Sequence, residues 1–163
     1  MSSCGLYGLP GPSPCPPPPA QVSSVNHAAV IETVNSNPVV IETTDLAICR
    51  PSVLTAIWTG YVAAGVTGAS AAPLLLNAEL VATAAVLPIV AVPINLGPVV
   101  ISVGADETYV PFTVSGAIPV AAGTTTVDFR MYNGETGATA AAFELAGTLT
   151  AVANRAPCTG ASS

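Results

Sequence analysis

The most apolar run of this chain, residues 80–103, is cut by a proline at every fifth position: Pro88, Pro93 and Pro98. A helix through these residues would lose an N–H donor and meet a ring clash at each one. In hydrocarbon the freed carbonyls would find no partner, and Asn95 adds a further polar group to the same run. A membrane-spanning helix is therefore excluded, although the run is long enough for one. What remains is short β-branched segments separated by Pro and Gly, the punctuation of an all-β domain.

The same punctuation runs through the rest of the chain. Val30-Ile31-Glu32-Thr33 recurs as Val40-Ile41-Glu42-Thr43, with Asn35-Ser36-Asn37-Pro38 between. This predicts two strands, either paired as a hairpin or passed from one sheet to another. A single repetition is no solenoid. Residues 53–63, with Ile57, Trp58 and Tyr61, predict a strand pair or one long bent strand. Residues 74–87 hold enough Ala and Leu for a helix, but Val81, Thr83, Val86 and the proline that follows favour a strand. Shorter strands follow at 89–95, 99–103 and 108–114. Over 124–132, Val127, Phe129 and Met131 fall on one face and Asp128, Arg130 and Tyr132 on the other. Asn133-Gly134 is the strongest hairpin signal, because both residues tolerate positive φ. It predicts a partner strand at 139–145, and a last strand lies at 148–153. About eight or nine short strands predict an all-β, antiparallel β-sandwich of the jelly-roll type.

Residues 1–24 differ in kind. They are rich in Pro, Gly and Cys and predict an extended N-terminal connector arm, leaving 25–163 as the sandwich domain. Gly5 to Pro12 begins like collagen, but the glycine period fails at once, so no triple helix forms. Cys15-Pro16-Pro17-Pro18-Pro19 predicts polyproline II, and residues 15–25 in that state would span roughly 30 Å.

Charge narrows the partners. The chain has no lysine, its cations are Arg50, Arg130 and Arg155, and its net charge is -6. Nucleic acid needs a basic stripe to neutralise phosphates, and anionic lipid needs the same, so neither is an expected partner. Charged residues make up 7% of the chain, against about 25% in an ordinary soluble domain. Such a chain is expected to cover part of its surface with copies of itself. The opening residues show neither the basic nor the apolar region of a secretory signal.

The chemical motifs are sparse. His27 is the one histidine, and no cysteine pair has zinc-ligand spacing, so no metal or cofactor is expected. His27 reads as a polar residue at the entry of the first strand. Glu32 and Glu42 occupy equivalent places of the repeat, and solvent-facing strand positions explain them better than paired catalytic carboxylates. Asp106-Glu107 decorates a turn. Trp58, Tyr61, Phe112, Phe129 and Phe143, spread over separate strands, read as core fillers rather than a sugar-stacking platform. No catalytic residues are assigned, and no enzyme activity is expected.

Cysteine carries the remaining signal. Cys4 and Cys15 lie in the arm, Cys49 at a strand end and Cys158 in a polar C-terminal end. They can stay reduced, pair within the chain in three connectivities, or bridge neighbouring subunits. A cysteine-bearing connector ahead of a jelly roll resembles the pilus-like appendage subunits of bacterial endospores. That resemblance implies disulfides between subunits, with Cys4 and Cys15 as connector thiols and Cys49 and Cys158 as acceptors. It also implies an extracellular or spore-surface location. A second resemblance is to the jelly-roll tips of spore-surface collagen-like glycoproteins. The expected function is a structural subunit that self-assembles into a helical filament or surface layer, with copies of itself as partners. The alternatives are a soluble or trimeric binding module for sugars or receptors, and a capsid-like shell subunit.

Overall fold

The structure is a computed structural model and describes residues 20–84, 92–95, 99–135 and 140–155. Among the described residues there are nine strands and no helix. They are β1 (Gln21–Val34), β2 (Val39–Ile48), β3 (Ser52–Ala63), β4 (Leu74–Ala84), β5 (Val92–Asn95), β6 (Val99–Val103), β7 (Tyr109–Val120), β8 (Gly123–Asn133) and β9 (Ala141–Arg155). One sheet has the order β1-β9-β3-β7; the other runs β2-β8-β4, with β5 and β6 both on the free side of β4. Every pairing is antiparallel.

Strands β5 and β6 are two halves of one edge strand. Asn95 lies opposite Val81 and Val99 opposite Ala78, so β5 and β6 gain one residue on β4 between them. Counted this way there are four strands per sheet, each built from strands distant in sequence, which is the jelly roll expected from the punctuation.

The core follows from the alternation. In β8, Val127, Phe129 and Met131 are fully buried; in β3, Leu54, Ala56, Trp58 and Val62 are. Trp58 and Phe129 meet across the two sheets, stacked with centroids 3.9 Å apart and planes 4° from parallel. Room for the indole comes from Gly147 of β9, opposite Gly60 of β3. A Cβ on Gly147 would stand 2.6 Å from Trp58 Cζ2, and one on Gly60 would collide with the Ala146 carbonyl oxygen. Trp58, Phe129 and Phe143 are thus the core fillers expected, with Phe112 packed partly against them. Tyr61 is not: it lies on the outer face and donates to Glu144 Oε1 at 3.0 Å.

Several local expectations are corrected. Residues 53–63 form a single strand, the second of the two forms expected, whereas the glycine-interrupted stretch after 140 is one strand, β9, not two. Gly147 marks contact with Trp58 rather than a break. Asn133-Gly134 is not a hairpin turn, since β8 and β9 belong to different sheets. Its backbone is used differently: Asn133 N–H donates to Asn35 O at 2.7 Å, and Gly134 N–H to Leu75 O at 2.9 Å. The two copies of the repeat take the second form expected and pass between sheets, β1 pairing with β9 and β2 with β8. Finally, β1 starts at Gln21, so residues 21–24, read as the end of the arm, belong to the sheet.

Candidate functional site

Strands β1 and β2 are edge strands of opposite sheets and lie side by side along one flank of the sandwich. Their facing side chains form a polar seam. The Ser23 and Thr44 hydroxyls are 2.6 Å apart, and the Gln21 amide donates to Cys49 Sγ at 3.4 Å. At the centre, His27 Nδ1 stands 3.2 Å from Glu42 Oε2, and Nε2 stands 3.3 Å from Glu32 Oε1. The second contact has an ion-pair separation without hydrogen-bond alignment. The imidazole is only 10% exposed, with the Trp58 ring 6.1 Å behind it.

Both strands are irregular at this level. Ala28 and Ala29 of β1 are set against one residue of β9, and Ile41 is an extra residue in β2. A bulge re-aims the side chains beside it. Here the two bulges turn Glu32, Glu42 and His27 onto one point. The reading of Glu32 and Glu42 as solvent-facing is therefore corrected. Their convergence was signalled by the repeat itself, which places one glutamate in each copy. Among the described residues no group of three or more His, Cys, Asp or Glu side chains could hold a metal ion. The cluster acts as a clamp between the two strands.

Of the four cysteines, Cys49 alone lies among the described residues; it is exposed and free. It sits beside Gln21, where β1 starts, and three residues before Ser52, which lies opposite Arg155. The ends of β1 and β9 that lead to the other three cysteines are thus at the Cys49 end of the sandwich. Cys4, Cys15 and Cys158, and the connector arm that holds the first two, lie outside the described residues. Asp106 and Glu107 occupy the turn between β6 and β7, where Glu107 N–H donates to Gly104 O at 3.2 Å.

The outer faces of the two sheets differ in charge. On the five-stranded side, Asp128 accepts from Arg130 Nη2 at 2.6 Å and from Thr43 Oγ1 at 3.0 Å, while Asp45 accepts from Thr126 at 2.6 Å. The β1-β9-β3-β7 face carries rows of small uncharged side chains instead. One row is Asn26, Thr148, Thr59 and Thr113; the next is Ser24, Thr150, Ile57 and Ser115. A third is Val22, Val152, Thr55 and Ala117. Hydroxyls and amides bond within the rows, Asn26 to Thr148 at 3.0 Å and Ser24 to Thr150 at 3.2 Å. At one end of this face the hydrogen bond to Glu144, then burial and the nearby carboxylate charge, raise the Tyr61 pKa above the usual tyrosine range. That bond is intact below the ordinary tyrosine pKa of about 10 and is lost as pH rises through the higher folded value.

No family model matches the sequence, and no curated protein matches it. Among solved structures the chain is similar to that of infectious bursal disease virus, Gx strain, with a TM-score of 0.54 and 7% identity over 93% of this chain and 37% of that one. It is also similar to T=1 particles derived from infectious bursal virus, at a TM-score of 0.53 and 10% identity over 93% of this chain and 36% of that one. A third is the T13 viral particle of infectious bursal disease virus, at 0.51 and 8% over 93% of this chain and 35% of that one. The chain spans little more than a third of the length of these proteins. At such identities the likeness is one of fold.

Proposed function

We propose that this protein is a structural subunit that assembles with copies of itself, its jelly roll serving as a building block rather than a catalyst. The observation that carries this reading is the β1-β9-β3-β7 outer face, where three successive rows across four strands hold no charged side chain. A soluble monomer ordinarily interrupts such a face with Lys, Arg, Glu or Asp. The particle-forming proteins that share the fold favour a closed, capsid-like shell as the form of the assembly.

A filament is the second reading, favoured by the position of Cys49. The exposed thiol beside Gln21, at the end of the sandwich where β1 starts, supports a scheme in which it receives an arm cysteine from the next copy. This matches the arrangement implied by the resemblance to endospore appendage subunits, with a spore-surface or other extracellular location. A head-to-tail contact that closes gives a shell and one that does not close gives a fibre, so both forms draw on the same kind of surface.

Sedimentation velocity of the purified chain over a wide range of concentrations tests the reading. Fast-sedimenting species that grow with concentration are expected. A single monomer boundary throughout would overturn it.

A further inference from the structure

We infer that the β1-β9-β3-β7 outer face is the contact between two copies of this chain, packed sheet to sheet about a two-fold axis. The inference rests on the self-assembly reading and specifies the surface that it uses.

Three of the four edges of the sandwich, β7, β1 and β2, are poorly suited to the task. A strand added to an edge needs a run of free N–H and C=O groups. Edge strand β7 carries Pro111 and Pro119, paired with Tyr61 and Val53 of β3. They lie at positions of the same parity, and a proline is tolerated in a ladder where its nitrogen points away from the partner strand. The free side of β7 therefore loses two donors, one towards each end. The β1 and β2 edges are tied to each other through His27, Glu32 and Glu42.

The face has the properties that the edges lack. With Ile57 at its centre 37% exposed and Val22 at its margin 62% exposed, it offers aliphatic area that water covers in the monomer. Around these, Ser24 bonds Thr150 and Thr148 donates to Asn26, so part of the polar hydration is already replaced before burial. With the flanking rows of Val53, Asn154 and Pro119 at one end and Tyr61, Ala146 and Pro111 at the other, five rows about 6.7 Å apart and four strands at about 4.8 Å spacing give a plane of roughly 600 Å². Side-chain relief adds to this, bringing it close to the ~800 Å² per partner of a stable interface. A charged partner would find no counter-charge in these rows. A second copy presents the same uncharged rows, and two such sheets pack at about −30°.

Three variants of the full chain test this, each read by light scattering after size exclusion and by thermal unfolding. Ile57→Lys places one charge per copy at the centre of the proposed contact. Ser115→Lys does so in the same row on the exposed edge strand, where folding is least at risk. Thr124→Lys adds the same charge to the outer face of the other sheet. Like charges brought together at a contact cost several kcal/mol, so the first two should weaken association by about 100-fold or more with little change in melting temperature. Thr124→Lys should associate as the parent does. Normal association of Ile57→Lys and Ser115→Lys would overturn the interface and leave self-assembly standing. Equal loss in all three would also overturn it, because the effect would then be one of net charge. A parent that stays monomeric would bring down the self-assembly reading and the interface with it.

Discussion

His27 and Gly147 show how much of this fold depends on single side chains. His27 stands between Glu32 and Glu42 on a nearly closed seam. Replacing it with Ala removes the imidazole that bonds Glu42 and separates the two carboxylates. His27→Ala should cost about 1–3 kcal/mol, and adding Glu42→Gln should recover part of that loss. Urea denaturation checks this, and an unchanged midpoint would show that the clamp contributes nothing. Gly147 has a different role, since a methyl group there must displace the buried Trp58 ring or the Thr59 carbonyl. Gly147→Ala should destabilise by about 1–3 kcal/mol or more through overpacking, with the Trp58 fluorescence altered in the native state. A variant with parental stability and spectrum would contradict the packing described.

Among the elements, strand content was more legible than strand partnership. Alternation placed Val127, Phe129 and Met131 inward because a half-buried strand writes its faces directly into the sequence. The Asn133-Gly134 signal failed because a turn residue reports a change of direction, not the sheet that receives the next strand. In this topology the chain crosses the sandwich there, and the same backbone groups bond to Asn35 and Leu75. The seam was hidden for a related reason. Inward polar residues on two facing edge strands have the same period as outward ones, so only the repeated glutamate hinted at it. The prolines of β7 also acquire meaning only with the pairing known. Pro111→Val combined with Pro119→Val restores donors to an open edge and should raise the rate of aggregation while leaving the fold intact. Turbidity over time measures this; a rate equal to the parent's would show that the edge is protected by something else.

For the whole molecule, charge is unevenly spread over the surface. Most acidic and basic groups among the described residues occupy the five-stranded face, the seam and the turns, while the β1-β9-β3-β7 face keeps Glu144 at one end and fills three successive rows with Asn, Thr, Ser, Ile, Ala and Val. The low charge of the sequence pointed to assembly but not to a location, because the rows exist only once β1, β9, β3 and β7 are side by side. The cysteine logic operates at this scale too. Cys4→Ser with Cys15→Ser should leave the sandwich folded and make any assembly labile to heat and detergent. An equally resistant assembly from that double variant would remove the arm from the bonding scheme. Negative-stain electron microscopy of the purified, oxidised full-length protein tests self-assembly most directly. Regular particles of uniform size are expected, with ordered filaments as the open form of the same association. A uniform field of isolated monomers at high concentration would contradict the structural role.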